Sequence, residues 1–199
     1  HVFLIPEQEE ANSNITKSIG TSWSSTLQSY VNDGGIVILM DYATPVPNYG
    51  GTAQIFNTSG LMTINSATSR YAATITLNNT ESALARGVAS SWSGPSGTVS
   101  YDTNDYTFRV VSYGSEAVVA HKIMGEGHII LLGFDMFNIE GNCTRLLGNA
   151  IRLHKHVIFD ESHSPYFTIF STYSEYSSRL IDYGYAVSSM LTFSADFIN

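Results

Sequence analysis

Charge is scarce in this chain. Only 13% of its 199 residues are charged, well below the usual quarter. Nine are Lys or Arg against seventeen Asp or Glu, a formal net charge of −8. No stretch gathers the few basic residues, so nucleic acid and anionic membrane surfaces make poor partners. Cysteine occurs once, at Cys143, which excludes an internal disulfide and any multi-cysteine metal site. The apolar run Ile129–Phe134 is far too short to cross a bilayer, and no membrane insertion is expected. Heptads, low-complexity tracts and basic-aromatic interleaving are missing. No targeting leader is recognisable, and the chain opens on HVFLIP without Met, which reads as a processed product or a piece of something longer.

Hydroxyl residues, Asn and twelve tyrosines take the place of the missing charges. That composition suggests an extracellular or cell-surface setting, with protein partners, further copies of the chain, or a glycan as ligand. Four N-x-S/T sequons, at Asn14, Asn57, Asn78 and Asn142, are glycosylation candidates, although about three would arise by chance in so Asn- and Thr-rich a sequence.

Gly125–His163 carries the clearest pattern. Ile129–Phe134 is continuously apolar, as a strand covered on both faces is. Asn142–Leu153 then repeats Cys143, Leu146, Leu147, Ala150 and Ile151 on one helical stripe, and Val157–Phe159 is apolar again. Strand, helix, strand predicts a right-handed parallel crossover. Upstream, Val2–Ile5 reads as a strand stopped by Pro6, followed by the polar loop EQEEANSNITKSIG. Ser22–Asp33 reads as a helix with Trp23, Leu27, Tyr30 and Val31 inward and Gly34 as its left-handed stop, and Ile36–Met40 as a buried strand. Between Thr52 and Tyr113, brief strands are expected at Gln54–Phe56, Leu61–Ile64, Tyr71–Leu77 and Phe108–Ser112. ESALARGV gives a helical turn, and SSWSGPSGT a loop in which Gly94 has freedom to adjust. Glu116–Ile123 and His128–Gly133 flank GEG as an antiparallel hairpin at the sheet edge. After Val157–Phe159, a helix over Ser171–Tyr183 and a strand over Ala186–Leu191 form another β-α-β unit.

The segments VNDGGIVILMD, ESALARGV, VVAHKIMGEGHIILLGFDMF with its following GNAI helix, and FDESHSPY resemble the class I glutamine amidotransferase-like superfamily, specifically non-glutaminase members such as ThuA-like domains. The resemblance implies an α/β fold, an open, mostly parallel flavodoxin-like or amidotransferase-like sheet with helices on both faces. It also implies what this chain departs from. A glutaminase of that family needs a Cys on a glycine-flanked elbow, where this sequence reads DYATPVPNYGG. It needs a His after a strand like Ile129–Phe134, where Asp135-Met136-Phe137 stands. Cys143, on an apolar helical stripe, reads as an inert small hydrophobe. Glutamine hydrolysis is therefore not expected. The unit resembling the family's first, FDESH through Gly184, comes last, so the order looks permuted. Residues 1–156 form the main part of the domain, and 157–199 a β-α-β segment that completes the same sheet or begins a following repeat.

Ligands of open α/β sheets bind beyond the carboxyl ends of the strands, and four strands here end in acids. Glu7, Asp41 and Asp135 are candidate ligand-binding residues. Asp160, Glu161 and His163 are candidate catalytic ones, a His beside two carboxylates being a potential base. No cofactor is required, although such oxygen ligands would suit Ca²⁺ or Mg²⁺. The plainer alternative is that these acids cap the helices that follow. His121 and His128 face each other across the hairpin without further ligands nearby and read as ordinary surface histidines, while His154 and His156 sit at a helix end, where they answer its dipole. The expected function is a non-catalytic module of a larger surface protein, used for assembly or ligand binding. A hydrolase of carbohydrate-related substrates using His163, and a structural subunit of a surface layer or filament, are the alternatives.

Overall fold

The computed structural model describes residues 1–8, 11–42, 51–136 and 141–153, together with the backbone of the strands 156–160 and 186–190. Its centre is set by strands with no polar face. β1 (Val2–Ile5) and β2 (Ile36–Met40) are buried at every position. Because side chains alternate along a strand, Val2, Leu4, Ile36, Ile38 and Met40 join one core, and Phe3, Ile5, Val37 and Leu39 the opposite one. β9 (Gly127–Leu132) is sorted the same way, Ile130 and Leu132 to the first core and Ile129 and Leu131 to the second.

Each core has its own helical cover. α1 (Ser13–Asn32) brings Leu27, Tyr30 and Val31 to the second, beside Ile55 and Phe56 of α2 (Gln54–Ser59). α3 (Asn142–Ile151) covers the first with Cys143, Leu146, Leu147, Ala150 and Ile151, each large side chain stabilising by about 1.5–3 kcal/mol. Helices thus lie on both faces.

β10 (His156–Asp160) pairs in parallel with β1, and β11 (Ala186–Met190) in parallel with β10. The parallel part runs β11-β10-β1-β2-β9. From β9 onward the sheet is antiparallel: β8 (Glu116–Met124), β7 (Arg109–Tyr113), β4 (Thr74–Leu77) and β5 (Ser91–Ser93) follow in that order, while β3 (Ile64–Ser69) pairs with β6 (Val99–Thr103), which also meets β8. The expected mostly parallel sheet is therefore corrected. Among the described residues, ten pairings join eleven strands, four of them parallel and six antiparallel. The hairpin is not at the edge either. β8 is continued by β7 and β6, and Ala117–Ala120 are completely buried, so β8 joins the parallel and antiparallel parts.

Other differences are local. α1 starts at Ser13 because Asn12 caps it, its side chain accepting from the backbone N–H groups of Asn14 and Ile15. The added turns bury small residues, Thr16 and Gly20, which a search for large apolar positions passes over. A Cβ on Gly20 would lie 2.5 Å from the Ile55 carbonyl oxygen, so glycine is what lets α2 approach. Gln54–Phe56, read as a strand, opens that α2, which Gly60 ends in a left-handed conformation (φ 77°). Part of SSWSGPSGT is strand β5, and Gly94 is not free, since a Cβ there would meet Thr98 Oγ1 at 2.6 Å. Ala83–Ala85 is a 3-10 turn, as ESALARGV predicts. The expected helix Ser171–Tyr183 lies outside the described residues.

The end of α1 and the hairpin turn hold one another. Gly34 is left-handed (φ 93°), and the N–H groups of Gly34 and Gly35 donate to the carbonyls of Val31 and Tyr30, the paired bonds of a Schellman stop. Glu126 N–H donates to the Asn32 carbonyl at 3.2 Å, and His128 N–H to that of Gly35 at 3.0 Å.

Candidate functional site

The carboxyl ends of β10, β1, β2 and β9 are neighbours, so Asp160, Glu7, Asp41 and Asp135 all fall at one edge of the sheet. What each acid does there follows from its partners.

Asp41 directly follows β2, held in register by its own N–H donating to the Leu132 carbonyl at 3.0 Å. It is 1% exposed. Its Oδ1 accepts from the N–H groups of Tyr42 at 3.1 Å and Thr52 at 3.2 Å, and its Oδ2 from Ala53 N–H at 3.2 Å and from the Tyr101 hydroxyl at 3.0 Å. Burial pushes its carboxyl up to about 6, against the pull of these four donors. At neutral pH the group is therefore largely ionised, with its lone pairs committed to the start of α2 and to β6. Tyr101 is fully buried, and burial, the charge of Asp41, their hydrogen bond and the charge of Glu7 all raise its hydroxyl above the ordinary value. It stays a donor.

Glu7 is 7% exposed and its Oε1 accepts the Met136 N–H at 2.5 Å, tying the end of β1 to the segment after β9. Gln8 continues the clamp. Its N–H donates to Thr52 Oγ1 at 3.0 Å and its side-chain amide to the Pro6 carbonyl at 2.8 Å. Asp135 is half-buried and packed against Gly97, where a Cβ would lie 2.3 Å from its own. Among the described residues, no group of three or more His, Cys, Asp or Glu side chains is placed to hold a metal ion.

Asp160 ends β10 at this edge by its backbone position, while Glu161 and His163, like His154, lie outside the described residues. His156 begins β10 at the opposite end. Among the sequons, Asn14 and Asn78 are exposed. Asn57 and Asn142 are half-buried, and their side-chain oxygens accept from Ile64 N–H at 3.1 Å and Ala89 N–H at 2.9 Å. Cys143 is buried on α3 and its thiol is pushed up to about 11 by burial, a shift that the neighbouring Trp92 indole opposes. That indole N–H nonetheless lacks the geometry of a hydrogen bond to any described atom. Among the described residues, no helix is long and apolar enough to cross a membrane.

Sequence reasoning missed Tyr101, Thr52 and the backbone donors. Tyr101 lies sixty positions from Asp41 on a strand that carries no motif, so no local signal could have paired them.

The architecture defines a mixed α/β protein with a parallel centre and an antiparallel extension. No family model matches the sequence, and no curated protein matches it. A cytoplasmic protein from Salmonella typhimurium is similar in fold, with a TM-score of 0.54 at 11% identity over 76% of this chain and 70% of that one. A putative ThuA-like protein from Bacteroides uniformis aligns at a TM-score of 0.46 and 10% identity over 76% of this chain and 89% of its own. A β-galactosidase from Bacillus circulans aligns at 0.45 and 11% over 76% and 22%. The first likeness establishes the fold alone. The other two carry no argument.

Proposed function

We propose that the chain is a non-catalytic, amidotransferase-like α/β module of a larger extracellular or cell-surface protein, serving assembly or ligand binding. The observation that carries this reading is the occupation of two of the strand-end acids, Asp41 and Glu7. A carboxylate that acts on a substrate needs a free lone pair facing it, whereas Asp41 gives its lone pairs to three backbone N–H groups and a tyrosine. The sole cysteine has a buried thiol with raised proton affinity, the reverse of an activated nucleophile. On the resemblance to the amidotransferase-like superfamily, Asp135-Met136-Phe137 takes the place of that superfamily's catalytic His. Exposure of Asn14 and Asn78 accords with a glycosylated surface protein, and the outermost places of β11 and β5 among the described strands with assembly, whether onto protein partners or as a layer or filament subunit.

A second reading, a hydrolase of carbohydrate-related substrates, draws on the adjacency of the β10 and β1 strand ends, which puts Asp160 one step past the Leu4–Phe159 pair, near the end of β1 that Glu7 follows. Glu161 and His163 would complete its machinery, with a divalent cation as an optional addition. Assays of glutamine and nitrophenyl glycosides against the intact chain separate the two. The module reading expects no turnover, together with association that changes on dilution in sedimentation. Turnover abolished by Asp160→Asn or His163→Ala would overturn it in favour of the hydrolase.

A further inference from the structure

His121 and His128 stand on the two strands of the β8–β9 hairpin. His121 pairs with Ile130 and His128 with Ile123, so the imidazoles are diagonal neighbours on the face to which Ile130 points. Nε2 of His121 and Nδ1 of His128 lie 2.9 Å apart, with ring centroids 5.1 Å apart and planes tilted by 38°. One facing nitrogen must carry a proton and the other accept it. Burial, and then the neighbouring imidazole, lower the proton affinity of His121, and burial lowers that of His128. At neutral pH the pair is therefore two neutral rings sharing one proton between their inner nitrogens.

That spacing is the one adjacent ligands take on a tetragonal ion. With metal–nitrogen bonds of about 2.0–2.1 Å, a right angle at the metal separates the nitrogens by about 2.9 Å and a tetrahedral angle by about 3.3 Å. We propose that His121 and His128 form a two-imidazole site for a borderline divalent transition ion, Cu²⁺ ahead of Ni²⁺ and Zn²⁺, with water in the remaining positions. The ion replaces the shared proton. One ring moves its proton from the inner to the outer nitrogen, both inner nitrogens then offer lone pairs, and no net proton is released. Neutral imidazoles bind without prior deprotonation. Both rings are half-buried rather than enclosed, so rotation about their side chains brings the lone pairs onto an ion beside the present hydrogen bond. Imidazole nitrogens disfavour the hard ions Ca²⁺ and Mg²⁺. A bound ion would clip the hairpin that joins the parallel and antiparallel parts of the sheet.

The test is calorimetric titration of the chelator-stripped intact chain with CuCl₂, NiCl₂, ZnCl₂ and CaCl₂. The chains compared are the wild type, His121→Gln, His128→Gln and, because His1 is a further imidazole among the described residues, His1→Gln. Loss of a group merely behind a ligand costs about 10–100-fold in metal affinity, so each hairpin variant should lose at least about tenfold. His1→Gln should retain a site that ranks copper first and ignores calcium. In wild-type protein, nitrogen-15 spectra should show His121 Nε2 and His128 Nδ1 shifting together on addition of Zn²⁺. This second readout decides the matter even where a variant folds poorly. Equal copper affinity in wild type and both hairpin variants, shifts in only one ring or neither, or no binding at millimolar ion would each overturn the proposal.

Discussion

Replacing Asp41 by Asn tests whether the strand-end acids are clamps or reactive groups, and the structure supplies the magnitude. Asn keeps Oδ1 for Tyr42 and Thr52, but its NH₂ faces the Ala53 N–H and the Tyr101 hydroxyl. The hydroxyl can turn to accept, whereas the Ala53 N–H is stranded at a cost of about 1–3 kcal/mol. Against this, Asp41→Asn removes a buried titration. Asp41 has a carboxyl pushed from 3.8 to about 6, roughly two units or about 3 kcal/mol. Because the folded value is raised, the stability this group contributes is fully present below about pH 4 and is lost as pH rises through 6. The Asn variant has no such loss. Wild type should therefore be the more stable at pH 4. Between pH 4 and 7 the difference should move by about 3 kcal/mol toward the variant, or roughly 6–12 °C in relative Tm for a chain of this size. Other titrating groups cancel, being common to both. Urea unfolding followed by tryptophan fluorescence across this range measures the difference directly. Parallel stability curves would refute the reasoning, since they would mean that the four donors outweigh burial and hold Asp41 in the ordinary carboxylate range.

Gly20→Ala should destabilise although alanine is the better helix former by about 1 kcal/mol. The added carbon meets the Ile55 backbone at 2.5 Å, and overpacking costs about 1–3 kcal/mol; a raised Tm would contradict the α1–α2 contact. Gly34→Val should cost about 1–2 kcal/mol from its left-handed φ of 93°, since an added Cβ would meet only Glu126 Cβ, at an ordinary contact distance of 3.8 Å, and an unchanged urea midpoint would count against that geometry. Native Cys143 should react with a thiol reagent only as fast as the protein unfolds, given its burial and raised proton affinity; rapid labelling below the denaturation range would show otherwise. Removing residues 156–199 strips β10 from one side of the fully buried β1. The truncated chain should unfold or aggregate, and a monomer with unaltered Tm would mean that β10 contributes nothing to this sheet.

The parallel centre is legible because burial on both faces leaves a run such as IVILM with no polar position to misread. The Schellman stop at Gly34 and the α3 stripe are legible for a similar reason, since local chemistry determines them. The antiparallel extension is not. β3 exposes or half-buries most of its length, its pairing with β6 joins residues thirty or more positions apart, and a short stretch such as Gln54–Ser59, with only Ile55 and Phe56 apolar, satisfies strand and helix equally until Gly60 and the approach of α1 decide it. At the site, the identities of the acids and their shared edge were readable, because strand order follows from the crossovers. Their partners were not, because Asp41 and Glu7 are satisfied by backbone N–H groups and by Tyr101, which leave no signature in side-chain identity.

Those partners also say where chemistry could still reside. Gly133 lets β6 cross the end of β9, since a Cβ there would meet the Val99 carbonyl at 2.3 Å and the Tyr101 ring at 2.8 Å. The crossing delivers the Tyr101 hydroxyl to Asp41, and the turn beyond β9 delivers Met136 N–H to Glu7. The β2 and β9 part of the edge thus holds contacts among the protein's own groups, whereas the switch point where an open sheet receives its ligand lies between β1 and β10. What remains is the β10 side, where Asp160 ends its strand next to β1. Module and hydrolase therefore part at Asp160 rather than at Asp41 or Glu7. Asp41→Asn should alter stability with pH and no catalytic rate, whereas Asp160→Asn should alter a rate only if a hydrolytic activity exists. A chain whose glycoside turnover falls with Asp41→Asn while its unfolding free energy stays unchanged from pH 4 to 7 would reverse that assignment.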